Sequence, residues 1–302
     1  MTDPVCVLYI AGLAHSGSTI LARVLGEIEG LFAAGEVYAL SERITNGDRC
    51  GCGVPLGVCP FWESVLGTAF PDADPLPRLR TERCWIQGRT LPSLALGRDR
   101  RRLHAYRSEL AKLYRAIAEV SSCRVVVDSS KSPTYAYILA RTPGIELCVV
   151  HLVRDPRPTS YSWSVDPHYH RTRGPAFGAR WTLWNLELEA LAAWHRRRFV
   201  RLRLEDFIRD PVAETRRVLA LVDAEHADLP FTGGRSVRLP SHHMIEGHIS
   251  RFDTGVIPIR ESTTWRRSLS RRREVSTSLL ASPLQLLYGY PFARLRSRAP
   301  VP

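Results

Sequence analysis

The stretch that most restricts the fold is VLYIAGLAHSGSTILARVLG, residues 7–26. Val5 to Ile10 is an apolar run of buried-strand length, and Gly12 and Gly17 bracket a tight turn. Ser18 and Thr19 then open an apolar-periodic helix through Ile20, Leu21, Val24 and Leu25. Strand, glycine-bearing turn and helix N-terminus make a phosphate cradle, because backbone N–H groups and the helix dipole both face an incoming anion. The spacing Gly12-x4-Gly17-Ser18-Thr19 departs from the nucleotide-triphosphate loop G-x-x-x-x-G-K-[ST] at one position, where Ser18 replaces the lysine. Such a loop still holds a phosphate, but lacks the cation that meets the β- and γ-phosphates of ATP. Alone, the same pattern could simply join a strand to a helix.

The unit repeats. Arg124 to Val127 reads as a β-branched strand ending in Asp128-Ser129-Ser130-Lys131-Ser132-Pro133, with a helix to Arg141. Glu146 to Val153 reads as a strand ending in Arg154-Asp155-Pro156-Arg157, with a helix from Pro158. Polar residues at each strand's C-terminal end imply an α/β, P-loop-like three-layer fold, a central parallel sheet flanked by helices, with ligands bound at those ends. Phe199 to Leu204 is a fourth strand, and helices are expected over 99–121 and from Pro175 to Arg197. Segments 46–60, 68–83 and 165–174 read as loops, and 223–260 is poorly periodic. Helix resumes at Trp265, and 293–302 reads as a disordered tail. No repeat or linker divides the chain, which predicts a single domain over 1–292 with a cysteine-containing loop insertion near 46–60.

The formal net charge of +12 makes an anionic partner plausible. Lys112 and Lys131 are the only lysines, so an arginine-biased coding sequence discounts the arginine count as a functional signal. The arginine-rich stretches 98–102, 196–203 and 266–273 are scattered and carry no nucleic-acid-binding signature, which leaves a basic nucleic-acid binder as an alternative only. No apolar run approaches the ~20 residues of a membrane span, and no basic segment precedes the first apolar run, so a cytoplasmic location is expected. Seven cysteines, with Cys6 and Cys148 inside predicted strands, fit reduced thiols. Cys50, Cys52 and Cys59 are spaced as zinc ligands could be, but no fourth ligand lies nearby in the sequence. The loop is read as packed by small thiols, and no metal site is assigned.

Taken together, the HSGST loop, the DSSKSP segment and the LVRDPRPTSYSW segment resemble the sulfotransferases that use 3′-phosphoadenosine 5′-phosphosulfate (PAPS), especially bacterial and Golgi-type members with an [RH]SG[ST]T loop. His242 to Trp265 is similar to that family's late cofactor-covering segment. The resemblance implies that Gly12, His15, Ser16, Gly17, Ser18 and Thr19 hold the 5′-phosphosulfate. Backbone amides and the Ser18 and Thr19 hydroxyls would donate, with His15 in place of the usual lysine or arginine. It implies that Arg154 and Ser162 hold the 3′-phosphate, where a planar, always-charged guanidinium suits a dianion. Arg251 would be a second basic contact.

Lys131 resembles the lysine that reaches the bridging or sulfuryl oxygens in tyrosylprotein-type enzymes, where a cation offsets charge on the leaving phosphate. Asp128 would orient it or cap the following turn. The Gly35-Glu36 pair looks like the family's base-bearing Gly-Glu, which makes Glu36 the candidate general base, with His15 and Asp128 competing. Glu36 near a helix start also fits a carboxylate stabilised by the dipole. The implied reaction is in-line sulfuryl transfer to a hydroxyl of a small-molecule, glycan or natural-product acceptor, giving a sulfate ester and 3′-phosphoadenosine 5′-phosphate (PAP), with no metal required. The competing enzyme class is a nucleotide-dependent kinase. The missing lysine at position 18 opposes it, as does the scarcity of magnesium-binding aspartates, Asp128 being the only contender.

Overall fold

The structure is a computed structural model, and it describes residues 3–87, 91–95, 100–172 and 174–292. The expected tail over 293–302 lies outside the described residues. Five strands, β1 (Val5–Gly12), β2 (Leu31–Gly35), β3 (Val125–Lys131), β4 (Ile145–Val153) and β5 (Phe199–Arg203), form one sheet in the order β2-β3-β1-β4-β5. Every pairing in it is parallel. Strands β6 (Ser236–Leu239) and β7 (Gly255–Pro258) form a separate antiparallel pair. The helices are α1 (Ser18–Gly26), α2 (Leu40–Thr45), α3 (Pro60–Ala69), α4 (Leu76–Gln87), α5 (Leu91–Ala95), α6 (Arg100–Ser121), α7 (Pro133–Leu139), α8 (Pro156–Val165), α9 (Gly174–Trp194), α10 (Leu204–Arg209), α11 (Pro211–Leu219), α12 (Trp265–Ser268) and α13 (Arg271–Leu287).

A parallel sheet is covered on both faces, so its strands read as unbroken apolar runs rather than alternating ones. Alternation then assigns the faces. Leu8 and Ile10 join Leu21, Val24 and Leu25 of α1, with Val125, Val127, Val150, Leu152 and Leu202, in one buried cluster. Val7 and Tyr9 point the other way, where Tyr9 Oη donates to the Ser132 carbonyl at 2.9 Å. The expected stripe on α6 (Leu103, Tyr106, Leu110, Leu113, Tyr114 and Ile117) is buried throughout, and α6 packs on β1, β2 and β3.

Within the described residues the chain forms two compact units. Among the described residues, the first spans 3–153 and 187–260 and holds the whole sheet; the second spans 154–186 and 261–292. The second has its own core, in which Trp163 and Phe177 meet edge to face at 5.2 Å. Arg157, almost fully buried, pairs there with Asp155 at 2.6 Å and Glu274 at 3.2 Å.

Three elements depart from the sequence reading. Leu31–Gly35 is an edge strand where no strand was expected. Leu76–Gln87 is a helix inside and beyond the expected loop 68–83. The poorly periodic 223–260 contains the β6–β7 pair.

Candidate active site

Sheet register brings the candidate residues to one edge. Gly12 pairs with Leu152, Ala11 with Lys131, and Gly35 with Asp128, so the C-terminal ends of β1, β2, β3 and β4 finish side by side. Gly12 is glycine because the strands leave no room, its Cβ position falling on the Leu152 carbonyl.

The loop from Gly12 to Thr19 turns through two left-handed residues, His15 (φ 68°) and Gly17 (φ 91°). A left-handed non-glycine residue carries conformational strain, and such residues cluster at ligand sites. Gly17 is the N-cap of α1 and offers no side chain to the first turn, and no acidic residue occupies that turn. The first N–H groups of α1 thus stay uncapped and electropositive. Ser16 is buried, and its Oγ has no hydrogen-bond partner within the protein. An orphaned hydroxyl in an uncapped loop is suited to an anion. Thr19 Oγ1 accepts the His248 N–H at 3.1 Å, which leaves its own proton to donate. The His15 and His248 rings meet edge-on at 6.5 Å.

Glu36 follows β2 and stands at the N-cap position of a single 3-10 turn, Val37–Ala39, ahead of α2, without a side-chain capping bond. Its Oε1 forms an ion pair with Lys131 Nζ, each side chain 15% exposed. Lys131, the last residue of β3, is itself left-handed (φ 67°). Burial pushes the Glu36 carboxyl above the usual range, and the Lys131 ammonium opposes that shift. Glu246, also left-handed (φ 53°), adds a second negative charge and is held by Arg43 through Nε at 2.7 Å.

Lys131 bonds Glu36 and the Ser129 carbonyl, whereas Asp128 bonds Ser130 and Tyr114. Asp128 is fully buried, accepting the Ser130 N–H at 2.6 Å and the Tyr114 hydroxyl, and burial raises its carboxyl to about 7. Asp128 thus ties the last residues of β3 to one another and to Tyr114 of α6.

The late segment completes the edge. Ile245 bridges Gly35 in parallel; its N–H donates to the Ala34 carbonyl at 2.9 Å and its carbonyl accepts the Glu36 N–H at 2.9 Å. Gly35 (φ 82°) must be glycine, since a Cβ would stand 2.6 Å from the Ile245 nitrogen. Arg23 of α1 donates to the Pro240 and Ser250 carbonyls at 3.1 and 3.0 Å. Arg251 Nη1 caps the Gly247 carbonyl at 2.9 Å while its buried Nε has no partner within the protein, so the guanidinium is part scaffold and part open donor. Sequence reasoning singled out Arg251 but missed Arg23, Arg43, Ile245 and Glu246, none of which belongs to a short motif.

Arg154 directly follows β4 in the chain, and in the second unit its carbonyl accepts the Trp181 indole N–H at 3.2 Å. Ser162, on α8, donates to the Pro158 carbonyl at 3.1 Å. The cysteine loop, finally, does meet a fourth ligand-type side chain. His243 joins Cys50, Cys52 and Cys59, all ligand atoms lying within 4.8 Å of one another.

Residues 8–228 match the model of the family described as "Sulfotransferase family". No curated protein matches the sequence significantly. Among solved structures, the chain is similar to the sulfotransferase domain of the Synechococcus PCC 7002 olefin synthase, at 18% identity over 96% of this chain and 97% of that one, with a TM-score of 0.49. A sulfotransferase domain from the curacin biosynthetic pathway is similar at 15% identity over 97% and 100% of the two chains, with a TM-score of 0.49. A sulfotransferase from Alicyclobacillus acidocaldarius is similar at 13% identity over 96% and 98%, with a TM-score of 0.40. No helix among the described residues is long and apolar enough to cross a membrane.

Proposed function

The chain belongs to the sulfotransferase family, and from that premise we propose that it moves the sulfuryl group of PAPS to a hydroxyl of a small-molecule, glycan or natural-product acceptor. The observation that carries this reading is the Glu36–Lys131 pair beside an uncapped loop with an orphaned Ser16 hydroxyl. Bound PAPS supplies an activated sulfuryl group and leaves as PAP. The loop amides from Gly12 to Thr19, with the Ser16, Ser18 and Thr19 hydroxyls and His15, hold the 5′-phosphosulfate. Arg154 and Ser162 hold the 3′-phosphate. For Ser162 this requires its proton to turn away from the Pro158 carbonyl. Arg251 adds charge through its open Nε.

Glu36 takes the acceptor hydroxyl's proton, and Lys131 neutralises charge on the leaving oxygen. The ion pair serves both roles in sequence. While paired, the Lys131 ammonium opposes the burial that would protonate Glu36. Once Lys131 turns to an anionic oxygen, Glu36 loses its cation and becomes a stronger base.

A kinase reading loses its one magnesium candidate, since both Asp128 oxygens are committed to Ser130 and Tyr114. Calorimetric titration with PAP beside ATP–Mg²⁺ tests the proposal. Micromolar binding of PAP alone is expected, and tight ATP–Mg²⁺ binding without PAP binding would overturn it.

A further inference from the structure

The cysteine loop carries three of the four side chains of a ligand-type cluster. Cys50 and Cys52 ride a tight hairpin in which Arg49 bridges Pro55. The Cys50 N–H donates to the Val54 carbonyl and the Gly53 N–H to the Cys50 carbonyl, both at 2.8 Å. Gly53 (φ 89°) allows the turn. Cys59 stands at the N-cap position of α3, just after a 3-10 turn, and its thiol makes no capping bond. All three cysteines are free, and Cys50 and Cys59 are fully buried.

The fourth member comes from the late segment. His243 Nδ1 lies 3.8 Å from Cys50 Sγ and 3.5 Å from Cys59 Sγ, and Cys52 Sγ lies 3.8 Å from Cys59 Sγ. Zinc bonds of about 2.3 Å to sulfur and about 2.0–2.1 Å to nitrogen make a tetrahedron with edges of about 3.8 Å between sulfurs and about 3.5 Å between sulfur and nitrogen. The Cys52–Cys59 and Cys59–His243 edges have those lengths, the Cys50–His243 edge is slightly longer, and all four ligand atoms lie within 4.8 Å of one another. The His243 ring is fixed by stacking on Phe61 at 5.0 Å, and its carbonyl accepts the Trp62 indole N–H at 2.8 Å.

The neighbouring histidine is excluded as a ligand by its own bonds. His242 Nδ1 accepts the Met244 N–H at 3.0 Å, so its Nε2 carries the proton and donates to the Arg251 carbonyl at 2.8 Å.

We propose that Cys50, Cys52, Cys59 and His243 bind one zinc ion, and that this ion clips the 46–60 loop to the late segment. Binding exchanges three S–H bonds for three Zn–S bonds and releases three protons to solvent. Four protein ligands leave no open position, so the centre is structural rather than catalytic. Its effect reaches the candidate active site through a short backbone path. Gly51 N–H donates to the Met244 carbonyl at 3.0 Å, and the next residue, Ile245, holds Ala34 and Glu36. The ion therefore fixes the strap on which Glu36 is seated. This inference does not depend on the identity of the sulfuryl donor.

The full chain, expressed with zinc or cobalt in the medium, is expected to carry one metal ion per chain by elemental analysis. The cobalt form is expected to show thiolate charge-transfer and tetrahedral d–d bands. His243→Ala should lower metal affinity more than about 100-fold, since even changes outside the ligand set cost 10–100-fold, whereas His242→Gln should keep one ion. If His243→Ala does not fold, titration of the wild-type thiols with a mercurial provides the readout, with one zinc released per chain as Cys50, Cys52 and Cys59 are modified among its seven free thiols. Chelation should speed amide exchange at Glu36 and Ile245 at least about tenfold, as local opening does. A metal-free preparation with native exchange rates, or loss of the ion on His242→Gln but not on His243→Ala, would overturn the proposal.

Discussion

Lys131 and Glu36 form an ion pair across the C-terminal ends of adjacent strands β3 and β2. Neither residue reaches the other by sequence proximity. Lys131 is brought round by its left-handed backbone, and Glu36 is seated by the Ile245 carbonyl. The pair is the centre from which the site's chemistry can be tested.

Glu36→Gln keeps the shape of the side chain and removes its basicity. PAP binding should stay within about twofold by calorimetry while kcat falls roughly 10²–10⁴-fold, the usual contribution of a positioned base. A near-normal kcat would move the base to His15.

Lys131→Met strips the cation from a carboxyl that burial already pushes up. The Glu36 pKa should rise further, so the acid limb of the kcat/KM profile should move to higher pH by about 1–3 units. An unshifted limb would show that Glu36 is not the group titrating in that profile.

Arg154→Ala tests the 3′-phosphate assignment. Binding of PAP should weaken roughly 10–100-fold, the range for a lost hydrogen bond to a charged group. Binding of adenosine 5′-phosphate, which lacks the 3′-phosphate, should hold. Equal losses for the two ligands would remove Arg154 from that role.

Asp128 makes a prediction about stability. Its carboxyl rises from 3.8 to about 7 on burial. Between those values the folded chain holds this proton and the unfolded chain has lost it, so stability falls as pH rises through that window. Asp128→Asn removes the titration. The difference in unfolding free energy between variant and wild type should shift in the variant's favour by up to about 4 kcal/mol from pH 4 to pH 7, read by urea denaturation at each pH. A difference independent of pH would place the Asp128 proton elsewhere.

Much of this was legible in the chain, for stated reasons. β1, β3 and β4 are continuous apolar runs with β-branched residues, and each ends in an abrupt polar turn, so strands and ligand edge were both readable. β2 was not, because LFAAG is short and rich in alanine and glycine, which have low strand propensity. Helix α4, LPRLRTERCWIQ, has no clear apolar stripe. Glu36 and Lys131 were legible as separate residues; their pairing depends on sheet register. His243 was not legible as the companion of the three cysteines, since it lies 184 positions after Cys59 beside a histidine of identical chemistry. The approach of His243 to the cysteines and the bonds made by His242 distinguish the two.

The parallel bridge from Ile245 to Gly35 also has a consequence for the chain as it leaves the ribosome. β2 is an edge strand, and its partner on the open side is encoded more than two-thirds of the way along. At roughly 5–20 residues per second, Gly35 waits about 10–40 s for Ile245 to be made. For that interval the nascent protein carries an unprotected strand edge and no seat for Glu36. Messages cut short before the late segment would therefore yield chains that are both inert and prone to pair with one another.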